Sequence, residues 1–162
     1  MIIVQERLAV LFDTLPKIQG HKVYFGEGTE KYLNKWLKGY FKEGLAPYPL
    51  IWMLPSEETE NELTGYVEKR TDFILCTRNE NVDMFNPERL TTSFENVLVP
   101  LYNSMLRSFK VGGIVSYDQE DVTRSFHPNY SKSDSGEKNA AIDIWDAIKV
   151  TMDLKIYGIN QC

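Results

Sequence analysis

Histidine and cysteine are scarce, at two each in 162 residues. His21 and His127 have no Cys or second His at ligand spacing, so no zinc site can be read. Cys76 lies in the apolar run FILCT and Cys162 is the final residue. Two cysteines make no disulfide framework, and a reduced, cytoplasmic setting is the simplest expectation. Basic runs are missing too. No Lys/Arg run exceeds two, and 18 basic against 23 acidic residues leave a net charge of −5. A protein that grips nucleic-acid phosphates carries a basic patch, so direct binding is not expected. No apolar run approaches the length of a membrane span. The start, MIIVQERLAVLF, has neither a basic leader nor a small-residue cleavage site, and is not expected to be a signal peptide. The pair Gly26 and Gly28 lacks the spacing of a phosphate-binding loop or a dinucleotide fingerprint, and reads as a turn with glycine at positive φ. There is no G-x-S-x-G motif and no Cys/His constellation for nucleophilic catalysis.

Apolar content is ordinary, at 43%, and aromatic content is 12% with nine Tyr and three Trp. That predicts one domain over residues 1–162 with a full-sized core. Surplus Tyr and Trp serve either a core or a protein interface.

The clearest pattern closes the chain. In IKVTMDLKI (148–156), Ile148, Val150, Met152, Leu154 and Ile156 alternate with Lys149, Thr151, Asp153 and Lys155. Side chains alternate faces along a strand, so this predicts a sheet with one buried and one wet face. Upstream, Val4, Leu8, Leu11 and Leu15 keep helical spacing up to Pro16, which predicts a helix over 2–14. A short strand is expected at 21–25. Thr29 is a candidate N-cap for a helix over 30–42, with Gly44 ending it. Five apolar residues between Pro49 and Pro55 fit a strand buried on both faces. An acidic turn (56–65) and a strand over 66–77 follow. From Asn86-Pro87 a long helix runs through Phe94, Leu98, Leu101, Met105 and Phe109. Pro100 should kink or divide it, and Gly112-Gly113 should end it. Residues 112–140 are polar and read as a long excursion with some strand character at 114–117 and 125–130. The fold class is α+β: a mostly antiparallel sheet, helices packed on one face, and a long loop before the C-terminal strand.

Two clusters could carry chemistry. Asp118, Glu120 and Asp121 could hold a hard cation, but the calcium-loop pattern is absent and a solvated loop is the expectation. Asp153-Leu154-Lys155 matches half of a metal-dependent nuclease signature without its upstream acid, and strand alternation explains all three positions. The protein is therefore not expected to be an enzyme, and no cofactor or metal is expected.

The phrases YPLIWMLP (48–55), TDFILCT (71–77), FENVLVPLYNSMLRSF (94–109) and DAIKVTMDLKI (146–156), in this order, resemble the small tail-terminator and tail-completion proteins of tailed bacteriophages. HKVYFGEG and the helix after it depart from that layout, because many such proteins pass directly from the first helix into the sheet. The resemblance implies a virion protein of the tail and neck, assembled in the host cytoplasm as a ring, commonly a hexamer. Its implied partners are itself, the tail-tube protein and a neck or connector protein. DNA would pass through without specific binding, which a net charge of −5 suits. Heterologous ring contacts need adhesive material. The candidates are Tyr117, Asp118, Glu120, Asp121, Phe126, His127 and Tyr130 in the excursion, and Lys149, Asp153 and Lys155 on the closing strand. Excising 116–138 is expected to leave a folded protein that fails to complete tails. The alternatives are a small cytoplasmic protein-interaction adaptor and a neck adaptor of the same virion.

Overall fold

A computed structural model describes residues 2–44, 46–61, 63, 65–78, 88, 90–128, 130 and 145–158. The order is α1 (Val4–Asp13), β1 (Tyr24–Glu27), α2 (Glu30–Lys42), β2 (Leu50–Met53), β3 (Glu58–Asn61), β4 (Tyr66–Arg78), a π-helical segment (Leu90–Leu98), α3 (Val99–Gly112), β5 (Val115–Tyr117), a 3₁₀ turn (Gln119–Asp121), β6 (Thr123–His127) and β7 (Trp145–Tyr157).

The sheet is built on one antiparallel pair. β4 and β7 pair over all 13 residues of each, from Tyr66↔Tyr157 to Arg78↔Trp145. Two short strands lie end to end along each outer side of this pair. β2 and β3 share the free side of β4, and β6 and β5 share that of β7. β1 adds to β2 as the one parallel pairing, with α2 as the crossover between them. The class is α+β with a mostly antiparallel sheet, as the alternation predicts.

Period-two patterning decides the first face. Ile148, Val150, Met152, Leu154 and Ile156 of β7 are buried with Val67, Phe73 and Leu75 of β4. α1 covers them with Val4, Leu8, Leu11 and Phe12, and α3 with Leu101, Tyr102, Met105 and Phe109. The second face divides. Over Leu50, Trp52, Ile74 and Cys76 it is covered by Leu33 and Leu37 of α2. The helices thus occupy both faces, where one face was expected. The reason is visible in β2: its four residues are all buried, so each face needs a cover.

Local signals explain most boundaries. Thr29 Oγ1 accepts a hydrogen bond from the Tyr32 backbone N–H (3.1 Å), capping α2, and Gly44 follows with φ 75°. Gly113, at φ 71°, caps α3. The expected strand at 21–25 starts later, because Ile18 and His21 close a tight turn with positive φ at Gln19 and Gly20. Of the two glycines after it, Gly28 has φ 134°, whereas Gly26 sits inside β1 beneath the Trp52 ring. Pro100 divides the long helix: a π-helical stretch precedes it and α3 follows. Proline has no N–H to offer the Asn96 carbonyl four residues back. That oxygen takes a hydrogen bond from Gln19 Nε2 instead, at 3.3 Å. The expected helix start at Asn86-Pro87 lies outside the described residues.

Two expectations are corrected. The acidic turn 56–65 contains β3, a strand of four polar residues held by pairing to β4. The excursion at 112–140 is folded back in its first half. β5 and β6 pair with β7, and Tyr130 is fully buried among Leu33, Trp52 and Ala147. Excising 116–138 would therefore remove β6 and a core aromatic, and cannot leave the fold intact. Residues 131–144, the rest of that excursion, lie outside the described residues.

Candidate functional site

Where α2 stops covering the second face, the β4–β7 pair is wet, and register sets its chemistry. Residues directly opposite across antiparallel strands have neighbouring side chains. Tyr66 meets Tyr157 with ring centroids 5.6 Å apart. Glu68 meets Lys155 at 3.7 Å. Arg70 Nη1 donates to both oxygens of Asp153, at 3.2 and 3.1 Å. Thr151 Oγ1 donates to Asp72 at 2.5 Å. Each charge on this ladder therefore has its partner built in. The Arg70 and Asp153 side chains are more than half exposed, so water screens the pair and it adds little stability.

This ladder floors an open trough of about 1130 Å³. Glu57 and Thr59, leading into and along β3, form one rim. Ser116 to Asp121, from β5 through the 3₁₀ turn, form the other. Asp118 caps that turn by accepting the Glu120 N–H at 3.0 Å. Among the described residues, Glu57, Asp118, Glu120 and Asp121 make no ion pair. The rims are acidic and the floor is neutralised.

The ten residues expected at an interface separate into groups. Asp118, Glu120, Asp121, Asp153 and Lys155 come together around the trough. Tyr117 borders it, but its ring packs edge-on to Phe109 in the core at 5.9 Å. Burial pushes the Tyr117 hydroxyl above the usual tyrosine range, partly offset by the Gln119 side chain. Phe126, His127, Tyr130 and Lys149 lie at the far end of β7. Phe126 stacks on Phe94 at 5.3 Å and stays half exposed. Tyr130 is corrected from interface to core: it is buried, and its hydroxyl donates to Glu30 Oε1 at 2.7 Å. Lys149 is half-buried with its ammonium 5.6 Å from the Tyr130 ring, a cation–π contact that ties it to its own chain.

Catalytic readings find little geometry. Asp153 and Lys155, the half nuclease signature, are each engaged with a residue of β4. Ser125 Oγ and His127 Nε2 lie 2.6 Å apart, but on β6, where four of five positions are exposed. An activated serine needs a water-excluding site, and among the described residues Ser125 is exposed on a strand that pairs on one side only. Among the described residues, no three His, Cys, Asp or Glu side chains are grouped to hold a metal ion, and no helix is long and apolar enough to cross a membrane.

Sequence reasoning missed Glu57, Thr59, Glu68, Arg70 and Ser116. The polar alternation of Glu68, Arg70 and Asp72 was the available signal. Only the 13-residue register with β7 turns it into a surface. No protein-family model matches the chain, and no curated protein sequence matches it significantly.

Proposed function

We propose that this chain is a structural, non-enzymatic protein of a tailed bacteriophage. In this reading it caps the tail tube and joins tail to neck as a ring of identical subunits. The supporting observation is the solvated half of the second sheet face. Glu68–Lys155 and Arg70–Asp153 neutralise one another in register and Thr151 hydrogen-bonds Asp72, which suits a broad protein-contact surface more than an activated group for chemistry. The α+β layout and the order of the four phrases quoted above support the same reading. So do the open sides of β1, β5 and β6, which pair on one side only among the described residues. The net charge of −5 favours free passage of DNA past the ring.

The test is to polymerise the tail-tube protein of the same phage with and without this protein and to image the tubes by negative stain. The reading predicts shorter tubes with a ring of density at one end. Tubes of unchanged length, with this protein left in the supernatant, would sink it.

A further inference from the structure

α2 carries a second charged feature. Lys31, Lys35, Lys38 and Lys42 are all exposed and follow one another by four, three and four residues. That spacing aligns them in one stripe about 16 Å long. None of the four makes an ion pair among the described residues. In a chain of net charge −5, four aligned and unpaired lysines are a marked local excess.

The stripe and the acid-rimmed trough share one face of the sheet. Along β4, Ile74 lies under α2 and Arg70 lies on the trough floor. Four strand residues separate them, or about 13 Å. α2 is therefore a ridge standing beside a depression. The trough spans the columns of β3, β4, β7 and β5, about 14 Å at ordinary strand spacing. A helix with its side chains is about 10–12 Å across. The ridge is basic and the rims are acidic.

From this juxtaposition we propose that the face is self-complementary and binds a second copy of this chain. In the pair, α2 of each copy lies in the trough of the other. Lys35 and Lys38 face the Glu120–Asp121 rim, and the two contacts are related by a two-fold axis. A ridge and a matching groove side by side on one surface satisfy both contacts at once in such a closed pair. The Arg70–Asp153 and Glu68–Lys155 floor is already neutral, so burying it leaves no lone charge. The pairing does not rest on the tail reading. It uses the surface which that reading offers to tail proteins, so it belongs to the free protein.

The test uses the full chain, K35E/K38E, E120K/D121K, and an equimolar mixture of the two variants, by sedimentation at 50 mM and 500 mM salt. Wild type is expected to form dimers at low salt and to dissociate as salt rises. Each variant alone should associate at least tenfold more weakly, because like charges then meet at both contacts. The mixture should regain the dimer, because one contact is native and the other is reversed on both sides. Recovery in the mixture also shows that both variants are folded. A monomeric wild type, variants that dimerise as wild type does, or a mixture that stays monomeric would each overturn the pairing. Tube capping by a monomeric wild type would leave the tail reading standing on its own.

Discussion

Lys69 Nζ lies 3.2 Å from Glu58 Oε1 and 3.0 Å from the Ser56 carbonyl oxygen, with the lysine side chain only 2% exposed on the core-facing side of β4. Sheet alternation forces this burial, since Val67, Thr71 and Phe73 flank it on the same face. The ammonium is satisfied by β3 and the turn before it. Glu58→Ala is expected to cost about 2–3 kcal/mol, because it leaves a buried cation with one acceptor. Lys69→Met should stay within about 1 kcal/mol of wild type, because an apolar side chain of similar length needs no partner. Urea unfolding of the two variants checks this, and equal losses in both would contradict it.

Tyr130 reaches 100 residues back along the chain to Glu30, at the first turn of α2. Tyr130→Phe removes a hydrogen bond to a carboxylate and keeps the ring, at an expected cost of about 1.5–3 kcal/mol. Tyr130→Ala also empties a fully buried aromatic site, at about 3–5 kcal/mol. Thermal unfolding should rank them wild type, Phe, Ala. If Tyr130 were the exposed contact expected from the sequence, all three would unfold together.

Tyr130 also marks how far the sequence could be read. α2, β2, β4 and β7 were legible because Thr29, the Pro49–Pro55 bracket and the alternation from Ile148 to Ile156 are local signals. β3 was not, because Glu58, Thr59, Glu60 and Asn61 have no apolar period and exist as a strand only through β4. β5 and β6 showed only short stretches of strand character inside a polar excursion, because they owe their pairing to β7, whose partner residues lie 20 to 41 positions later. The trough was half legible. Its acids and Asp153 stood out as charges, but their partners on β4 depend on long-range register. The lysine stripe was present in the spacing of α2 and gained meaning only when the trough appeared on the same face.

Gly26 is held by packing, with ordinary strand geometry. A Cβ there would lie 2.5 and 2.8 Å from two ring carbons of Trp52, whose Nε1 donates to the Gly28 carbonyl at 2.9 Å. Trp52 is fully buried against Trp36, with ring centroids 5.5 Å apart, so it has little room to retreat. Gly26→Ala is expected to destabilise by about 1–3 kcal/mol through overpacking. Gly39, in the middle of α2, has nothing within 4 Å of its Cβ position. Gly39→Ala should stabilise by up to about 1 kcal/mol through helix propensity. Chemical denaturation of both variants checks the pair; effects of the same sign would remove the packing argument.

Cys76 is fully buried in β4 beneath α2, and burial pushes its thiol well above the ordinary value of 9.0. Burial deprives a thiolate at that site of its solvation, so the folded chain keeps the proton after the unfolded chain has lost it. Stability is therefore fully present below about pH 9 and falls as pH rises above it. The slope from this one group is about 1.4 kcal/mol per pH unit. Tyr117, also raised by burial, adds a smaller loss of the same sign above its ordinary value of 10.0. Cys76→Ala removes the first contribution and leaves the second. Measured by urea unfolding between pH 7 and 10.5, the variant should start less stable, because the site loses its sulfur. The gap to wild type should then narrow above pH 9. Parallel curves across that range would mean that the folded chain releases the Cys76 proton as readily as the unfolded one, and that α2 does not seal this end of the sheet.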